Sequence, residues 1–502
     1  MTTSGTADPG GRPDSTADPG GRPDSTADPE GRPDSTADPG GRPDSTADPE
    51  GRPPSTNGGR DRTGRKAMAT ILEPMITAFM GPNPPVRVRF WDGSTLGPEE
   101  AEATLIIRSP RAVRRIMYAP GELGAARAYV AGELDLEGDV YAALALRDAL
   151  AGPERQAKVG LGMRAWLDLL RAAGSSGAIG PPPALPPEEA RLRGRRHSKE
   201  RDAAAISHHY DVSNEFYRLV LGDSLTYSCA HFERPDATLE EAQRSKHDLV
   251  CQKLGLRPGA RLLDVGCGWG TMAMHAARHY GAKAVGITIS ERQASLAAER
   301  VAEAGLASQV EIRRQDYRDV ADGPYDAISS IGMFEHVGLS RLAEYLGDLY
   351  RLLRPEGRLL NHGISRPGPS GLARTSFINR YVFPDGELHE VGTVISAAQA
   401  QHFEVRDVES LREHYARTLR RWVVNLEAGW DRAVELVGSS RARIWRLYMA
   451  GSALNFEAAR TSIHQVLAVK GGPRGESGMP LTRAELLGLV PAPAPARAAS
   501  LP

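Results

Sequence analysis

The stretch ARLLDVGCGWGTMAMHAA, residues 260 to 277, constrains the fold of this chain more than any other part of its sequence. The apolar run that ends at Val265 predicts a buried parallel strand, and the glycines of GCGWG predict the turn after it. Residues 272 to 277 then predict a helix. A strand, a glycine turn and a helix form half of a βαβ unit, so the sequence predicts an α/β fold with a ligand at this turn.

The spacing of these glycines indicates the kind of ligand. A dinucleotide-binding fingerprint needs a third glycine three residues after the second, and that position is Thr271 here. The pattern is instead Gly266-x-Gly268-x-Gly270, preceded by Asp264. It favours a ligand with an uncharged linker and a cationic amino-acid end, such as S-adenosylmethionine (SAM). Glycines that only permit a turn are the alternative when the motif is taken alone.

The first 67 residues lack the side chains that a folded domain needs. A decapeptide of the type STADPGGRPD repeats from Ser15 to Pro54 and contains no aromatic residue, Leu, Ile, Val or Met. Because such a segment has nothing apolar to bury, we predict that residues 1–67 are disordered. The segment also lacks the apolar or amphipathic pattern of a targeting signal.

Charge and cysteine content narrow the function classes. The chain has 502 residues and a formal net charge of −1, so no overall positive field favours nucleic acid. An odd number of cysteines, Cys229, Cys251 and Cys267, favours reduced thiols in the cytosol. The sequence has no run of about 18 apolar residues, the length of a transmembrane helix. We predict a cytoplasmic protein without a metal site and leave attachment to a membrane surface open.

The rest of the chain divides by composition. Residues 68–172 predict a small amino-terminal α+β domain, and residues 173–200 a linker rich in Gly, Ser and Pro. Residues 201–472 predict the catalytic domain, and residues 473–502 a flexible tail. The basic run RLRGRRHSKERD begins in the linker. Such a run is usually a solvated surface, but it also suits anionic lipid head groups if the substrate is a lipid.

The larger domain alternates strands and helices. Strand patterns cover residues 261–265, 283–287, 309–313, 325–331 and 357–363, and helix patterns cover about 270–280, 291–304 and 340–353. This alternation predicts a doubly wound parallel sheet, closed by a late antiparallel strand in IHQVLAVK.

Ligands of such sheets bind outside the carboxyl ends of the strands. The second strand ends at Thr288 and Ile289, where a dinucleotide enzyme would carry an acidic residue. The third is followed by Asp316 and Tyr317, which suit an adenine: the carboxylate accepts from its amino group and the ring stacks. A loop-capping role for Asp316 is the alternative.

Several longer segments resemble one family. They are HHYDVSNEFYRLVLGDSLTYSCAHF, DATLEEAQRSKHDLVCQKLGLRPGARLLDVGCGWG, GITIS, SSIGMFEHVG and LREHYARTL. Together, across residues 201 to 470, they are similar to the cyclopropane-fatty-acyl-phospholipid synthase and mycolic acid cyclopropane synthase family. The resemblance implies a class I SAM-dependent methyltransferase fold. Residues 67 to 170 resemble the small amino-terminal domain that bacterial members carry and the mycolate enzymes lack.

The resemblance also implies the residues of the site. Those that match the family's SAM contacts are Tyr227 and Ser228 at the carboxylate end, Gly266 and Gly268 beneath it, Thr288, Ile289 and Gln293 on the ribose and adenine side, and Asp316 and Tyr317 at the adenine. The family also holds a bicarbonate ion beside the methyl group, and the matching ligands are Cys229, Ile331, Glu335, His362 and Tyr415. Taken alone, these residues have ordinary explanations, such as an exposed turn for Glu335 and core packing for His362 and Tyr415.

The chemistry explains why such residues are needed. An alkene is a poor nucleophile, so its π electrons must attack the sulfonium methyl directly and leave a carbocation, which a dry, aromatic-lined site protects from water. A bicarbonate ion held by Glu335, His362 and Tyr415 would then accept one proton from the new methyl group. The expected function is SAM-dependent alkylation of the cis double bond of unsaturated acyl chains in membrane phospholipids, at the inner face of the membrane.

Two products are compatible with this chemistry. Ring closure gives a cyclopropane, which is the product we expect. A hydride shift gives a 10-methylene chain instead, and FINRYVFPDGELHEVGTVISAAQ resembles the branch of the family associated with 10-methyl (tuberculostearic) fatty acids. A methylene product would need a separate reductase, because the sequence has no flavin or nicotinamide site.

Two other classes of function are the alternatives: an inactive lipid-binding scaffold, and a methyltransferase for N or O atoms of other substrates. The sequence leaves open whether the chain forms a homodimer.

Overall fold

A computed structural model describes residues 67–80, 84–151, 174, 179–190, 198–199, 201–202, 213–368 and 376–489. Residues 1–66 of the predicted disordered segment 1–67 and most of the basic run therefore lie outside the described residues, as does part of the predicted linker.

A small four-stranded sheet with helices forms the amino-terminal part. Its strands are β1 (Arg87–Arg89), β2 (Thr95–Leu96), β3 (Ala103–Ile107) and β4 (Leu134–Gly138), in the order β2-β1-β3-β4. Its helices are α1 (Met68–Met80), α2 (Pro110–Tyr118), α3 (Glu122–Val130) and α4 (Val140–Ala151). Leu72 and Ile76 of α1 are buried against Val88 and Phe90 of the strand layer. The predicted small α+β domain is confirmed.

The larger part contains a seven-stranded sheet. Its strands are β5 (Arg261–Val265), β6 (Lys283–Thr288), β7 (Val310–Arg314), β8 (Tyr325–Ile331), β9 (Leu353–Ser365), β10 (Phe403–Ser410) and β11 (Ser462–Lys470). The order is β10-β11-β9-β8-β5-β6-β7, with β11 antiparallel to both of its neighbours and the remaining pairs parallel. The order reverses at β5, so the turn after β5 lies at the switch point where ligands bind in such sheets. The predicted doubly wound α/β sheet is confirmed.

Twelve helices surround this sheet in the described part of the chain. They are α5 (Asn214–Leu221), α6 (Leu239–Leu254), α7 (Thr271–Tyr280), α8 (Glu291–Glu303), α9 (Phe334–Val337), α10 (Leu339–Leu352), α11 (Phe377–Tyr381), α12 (Val391–Ala400), α13 (Arg412–Ala428), α14 (Trp430–Val437), α15 (Ser439–Glu457) and α16 (Arg483–Leu486). Helix α6 illustrates how sequence sets their ends. A capping box of Thr238 and Glu241 starts α6, and Gly255 in the left-handed conformation ends it.

The small domain packs on the helices that follow the sheet. Helix α3 and helix α4 both contact α15. Ala126, Val130 and Val140 belong to the same buried apolar cluster as Trp445 and Met449 of α15. The two parts therefore share one core at this contact.

The carboxyl-terminal segment differs from the prediction. The sequence predicts a flexible tail from residue 473, whereas residues 473–489 contact the catalytic domain: Met479 and Leu486 pack against a buried cluster of the sheet. The Gly478 carbonyl accepts a hydrogen bond from Arg358. Residues 490–502 lie outside the described residues.

Candidate active site

An open cavity lies at the carboxyl ends of β5, β6 and β8, next to the segment 225–228. We call it the ligand cavity. All nine predicted SAM contacts line it: Tyr227, Ser228, Gly266, Gly268, Thr288, Ile289, Gln293, Asp316 and Tyr317. The structure thus brings together residues from five separate segments of the chain. The role of each residue stays a prediction.

The glycine turn forms the floor of the ligand cavity. Gly266 has a φ of +75°, which glycine adopts without strain, and its N–H donates to the Ile287 carbonyl at 3.0 Å. Arg300 holds the next part of the turn by donating to the Trp269 carbonyl at 2.6 Å and to Thr271 Oγ1 at 3.0 Å. On the ribose side, Thr288 Oγ1 donates to Gln293 Oε1 at 2.8 Å. Hydrogen bonds within the protein therefore hold the floor of the cavity in place.

The predicted adenine end contains an arginine that the sequence reasoning missed. Arg318 donates to both carboxylate oxygens of Asp316, at 2.8 and 2.6 Å, and its guanidinium carbon lies 5.3 Å from the centre of the Tyr317 ring. Burial raises the pKa of Asp316, but the hydrogen bonds from Arg318 outweigh it, so the net pKa is lowered. Asp316 is thus an ionised carboxylate whose orientation is set by Arg318.

At the opposite end of the ligand cavity, three residues on one face of helix α6 contact the segment 226–228. Gln243 Nε2 donates to the Ser228 carbonyl at 2.9 Å, and Lys246 Nζ donates to Ser228 Oγ at 3.1 Å. His247 Nε2 lies 3.2 Å from Thr226 Oγ1. The sequence reasoning also missed these three residues of α6. Their spacing of i, i+3 and i+4 on a helix with apolar neighbours was the available signal.

The five residues that match bicarbonate ligands are here called the anion cluster. They are Cys229, Ile331, Glu335, His362 and Tyr415. Only Ile331 lines the ligand cavity directly. The strand register places Ile331 beside His362, and Glu335 follows four residues after Ile331 in helix α9. Glu335 is buried, so it is not the exposed turn residue that was the alternative.

Glu335 and His362 each present one buried atom without a partner among the described residues. Glu335 Oε1 accepts from the Ile364 N–H at 2.8 Å, while Oε2 has no partner. His362 Nδ1 lies 3.1 Å from Gln465 Nε2, while Nε2 has no partner. Burial raises the pKa of Glu335 to about 7 and lowers that of His362 well below its usual value. With Gln465 donating to Nδ1, the neutral imidazole carries its proton on Nε2.

These two atoms suit a small ion that both accepts and donates hydrogen bonds. His362 Nε2–H is a donor and Glu335 Oε2 is an acceptor when ionised. A buried polar atom without a partner is costly, which indicates that something fills the remaining positions. Bicarbonate has both an O–H and acceptor oxygens, so these residues fit it.

The other two residues, Tyr415 and Cys229, belong to the buried apolar cluster that includes helix α13. Tyr415 is buried near the start of α13, with its ring 4.8 Å from that of Phe456. Cys229 Sγ donates to the Ala230 carbonyl at 3.2 Å, and burial raises the pKa of the thiol. The thiol is therefore protonated and is not a nucleophile.

Tyr227 lines the ligand cavity, and a cluster of buried aromatic rings, here called the aromatic cluster, packs behind it. The Tyr227 ring lies 5.3 Å from Trp422 and 5.6 Å from Trp445, and its hydroxyl donates to the Tyr448 hydroxyl at 3.1 Å. The Phe383 ring lies 5.7 Å from Tyr448. The wall of the cavity at Tyr227 is therefore backed by apolar, aromatic side chains, which exclude water.

Replacing Gly363 with alanine is expected to destabilise this site. Its added Cβ would overlap Cε1 of Phe334, a buried ring beside Glu335. We expect a loss of about 1–3 kcal/mol in unfolding free energy, measured by urea denaturation. Gly392→Ala is the control, because Gly392 lies in a helix with open space at its Cβ. Equal stability of the two variants would contradict this prediction.

No group of three His, Cys, Asp or Glu residues in the described part of the chain could hold a metal ion. No helix there has the length and apolar character needed to cross a membrane.

Comparisons with known proteins agree with the resemblance. The family model of mycolic acid cyclopropane synthetase matches residues 197–466. A probable fatty acid methyltransferase of Mycobacterium tuberculosis is 45% identical over 84% of this chain and 98% of its own length. Another, from Pseudomonas putida, is 41% identical over 80% of this chain and 96% of its own length. Cyclopropane mycolic acid synthase 1 of M. tuberculosis is 37% identical over 53% of this chain and 97% of its own length.

Solved structures agree with this result. A cyclopropane synthase from M. tuberculosis superposes with a TM-score of 0.52 at 35% identity, over 53% of this chain and 98% of that one. A mycolic acid cyclopropane synthase in complex with SAH and CTAB gives a TM-score of 0.51 at 37% identity, with the same coverage of both chains. The fold is therefore that of a class I SAM-dependent methyltransferase.

Proposed function

Because this chain belongs to the mycolic acid cyclopropane synthetase family, whose members include SAM-dependent methyltransferases of lipid chains, we propose that it alkylates the cis double bond of unsaturated acyl chains in membrane phospholipids, with bicarbonate as proton acceptor. The observation that carries the proposal is the pair of unpartnered buried atoms, Glu335 Oε2 and His362 Nε2, beside a cavity lined by the predicted SAM contacts.

Bound SAM supplies an electrophilic methyl group, and bound bicarbonate supplies a proton acceptor that SAM does not readily alkylate. The chain's own residues bind and orient these groups. Tyr227, Ser228 and the glycine turn would hold SAM, and Glu335 and His362 would hold bicarbonate by one accepted and one donated hydrogen bond. Tyr415 would complete that set.

Tyr227, which lines the ligand cavity, and the rings packed behind it would protect the carbocation. Tyr227, Trp422, Trp445 and Tyr448 form a continuous layer of rings, in which Tyr227 lies 5.3 Å from Trp422 and 5.6 Å from Trp445, and Trp445 lies 5.8 Å from Tyr448. Their faces carry partial negative charge, which stabilises a nearby cation, and their bulk excludes water. The positive charge on the alkylated chain would then persist until a proton leaves.

The cyclopropane is the product that we propose first. Two relatives that cover 84% and 80% of this chain are probable fatty acid methyltransferases, which favours a methylene precursor of a methyl branch as the second candidate. Both products share the first step, the transfer of the methyl group to the alkene. They differ in whether a hydride shifts before the proton is lost, so a reductase would be a further partner only in the second case.

A labelling experiment tests the proposal. The purified chain is incubated with methyl-deuterated SAM, bicarbonate and vesicles of a cis-monounsaturated phospholipid, and the released acyl chains are analysed by mass spectrometry before and after mild hydrogenation. A labelled chain that resists hydrogenation indicates a cyclopropane. One that takes up two hydrogens indicates a methylene branch. Absence of label from the lipid would contradict the proposed substrate.

Binding to vesicles of defined charge tests the proposed attachment to a membrane surface, which we place at the inner face of the membrane. We propose that the protein attaches peripherally and that the basic run between residues 191 and 201 contributes to binding. Co-sedimentation should then be stronger with anionic than with zwitterionic vesicles and should weaken at high salt.

A further inference from the structure

Lys246 is a buried cation that the proposed chemistry does not yet use. Its side chain is 1% exposed and lies in helix α6, lining the ligand cavity. Among the described residues, no carboxylate lies within ion-pair distance of its ammonium group. Buried charges are normally paired, so an unpaired ammonium at a cavity wall indicates an anionic ligand.

Two hydrogen bonds fix the direction of this ammonium group. Nζ donates to Ser228 Oγ at 3.1 Å and contacts His247 Nδ1 at 3.3 Å. Burial lowers the pKa of His247 well below its usual value, so the imidazole is neutral and Nδ1 accepts from Lys246. Nε2–H can then donate to Thr226 Oγ1. An ammonium group has three donors, so one remains for a ligand.

Asp264 supplies the opposite charge in the same cavity. It is 2% exposed, its Oδ1 accepts from Ser329 at 2.7 Å and its Oδ2 has no partner among the described residues. Burial lowers the pKa of Lys246 to about 8 and raises that of Asp264 to about 6, so both groups are mainly charged at neutral pH. The two charges influence each other without forming an ion pair. A zwitterionic amino acid is the type of group that fits between them.

Two anions could reach Lys246. One is the carboxylate of SAM, because Lys246 bonds directly to Ser228, a predicted contact of that carboxylate. The other is bicarbonate, because the ammonium group also influences the pKa of Cys229 and His362 in the anion cluster. The direct hydrogen bond to Ser228 and the position of Lys246 on the wall of the ligand cavity favour the carboxylate.

We propose that Lys246 binds the carboxylate of SAM through the third N–H of its ammonium group. This inference rests on the SAM dependence of the family. It does not depend on which lipid accepts the methyl group.

Binding of two ligands tests the assignment. The probes are SAH and its decarboxylated analogue, the aminopropyl thioether of adenosine, and binding is measured by calorimetry without lipid. Lys246→Met is expected to weaken SAH binding by about 10- to 100-fold and to leave the affinity for the analogue within about twofold. In the alkylation assay the KM for SAM should rise by a similar factor, with a much smaller change in kcat.

The analogue also reports whether the variant is folded. If Lys246→Met does not fold, Lys246→Gln gives the same test and keeps a donor for Ser228. Lys253→Met is the matched control, because Lys253 is equally buried on the same helix but is paired with Asp407 and Glu409. The control should lower stability without changing the ratio of the two affinities.

Two results would overturn the inference. An equal loss for SAH and the analogue would mean that Lys246 only supports the segment around Ser228. An unchanged SAH affinity with a higher bicarbonate requirement would assign the ammonium group to the anion cluster instead. A protein that binds SAH as expected but labels no lipid would contradict the proposed function and leave this inference intact.

Discussion

Glu335→Gln is expected to lower the rate of lipid alkylation by about 10²- to 10⁴-fold, while SAH binds as tightly as before. The glutamine carbonyl can still accept from the Ile364 N–H, so the local structure is kept. At the position of Oε2, however, an N–H donor replaces an acceptor. A bicarbonate ion that donates its O–H there would lose its partner and its orientation, and proton removal from the alkylated chain would fail.

The same substitution is expected to stabilise the protein. Burial raises the pKa of Glu335 from an ordinary value of 4.5 to about 7. Between these values the unfolded chain is ionised at this residue and the folded chain is protonated, so the wild type loses stability as the pH rises through this window and stays lower above it. The amide of the substituted side chain does not titrate. Near pH 8 the variant should therefore be more stable, on the order of 1 to 3 kcal/mol.

Three measurements decide this prediction: single-turnover alkylation, SAH calorimetry, and thermal unfolding between about pH 5 and pH 8. The control is Glu344→Gln, which removes an exposed carboxylate paired with Arg341 on helix α10 and should change none of them appreciably. Full alkylation activity in Glu335→Gln would contradict the bicarbonate role. A variant that also loses SAH binding would show that Glu335 supports the SAM site as a whole.

The residues of the ligand cavity were accessible to sequence reasoning for a physical reason. In a doubly wound sheet the carboxyl ends of adjacent parallel strands meet at one edge, so the residues after β5, β6 and β7 must converge. This placed Gly266, Thr288 and Asp316 in one cavity. The roles of the anion cluster came from family resemblance, since a histidine in a strand and a tyrosine in a helix have no spacing that indicates a shared ligand.

Other features were missed because their signal depends on tertiary contacts. Strand β10 alternates buried and exposed residues at the edge of the sheet and lacks a continuous apolar run, so its sequence FEVRDVES gave a weak pattern. Arg318 donates a hydrogen bond to Asp316, and Lys246 donates one to Ser228. Only the fold determines that these side chains meet. The position of residues 473–489 similarly depends on tertiary contacts, such as that of Met479 with the buried cluster of the sheet.

Deleting residues 1–190 is expected to abolish the soluble fold of the remaining chain. Tyr129 and Val130 of the small domain are buried against helix α15, in contact with the layer that carries Trp445 and Tyr448. Arg443 of α15 also pairs with Asp135 at 3.1 Å. Removing the small domain would expose this apolar surface and leave charged partners unpaired.

The linker strengthens this attachment. Glu189 is 3% exposed and accepts two hydrogen bonds from Arg127 of α3, at 2.9 and 2.7 Å, and a third from Tyr381 of α11 at 3.2 Å. Deleting residues 1–190 removes Arg127 and Glu189 together, so the buried Tyr381 hydroxyl loses its acceptor and Tyr381 loses the segment that covers it. The main cost is the exposure of the apolar surface of α15, and because a typical domain is stable by only about 5–15 kcal/mol, such a loss is large.

A comparison with shorter relatives of the family shows why this deletion is informative. The cyclopropane mycolic acid synthases match only about half of this chain yet nearly all of their own length, for example 53% and 97%, so a catalytic domain of this type exists without the small domain. In this chain, by contrast, the surface of α15 is apolar because the small domain covers it. Deletion of residues 1–66, which removes the repeats alone, is the control and should leave the unfolding temperature unchanged. Solubility, gel filtration and thermal unfolding of both deletions test the prediction, and a monomeric 191–502 fragment that unfolds at the temperature of the full chain would contradict it.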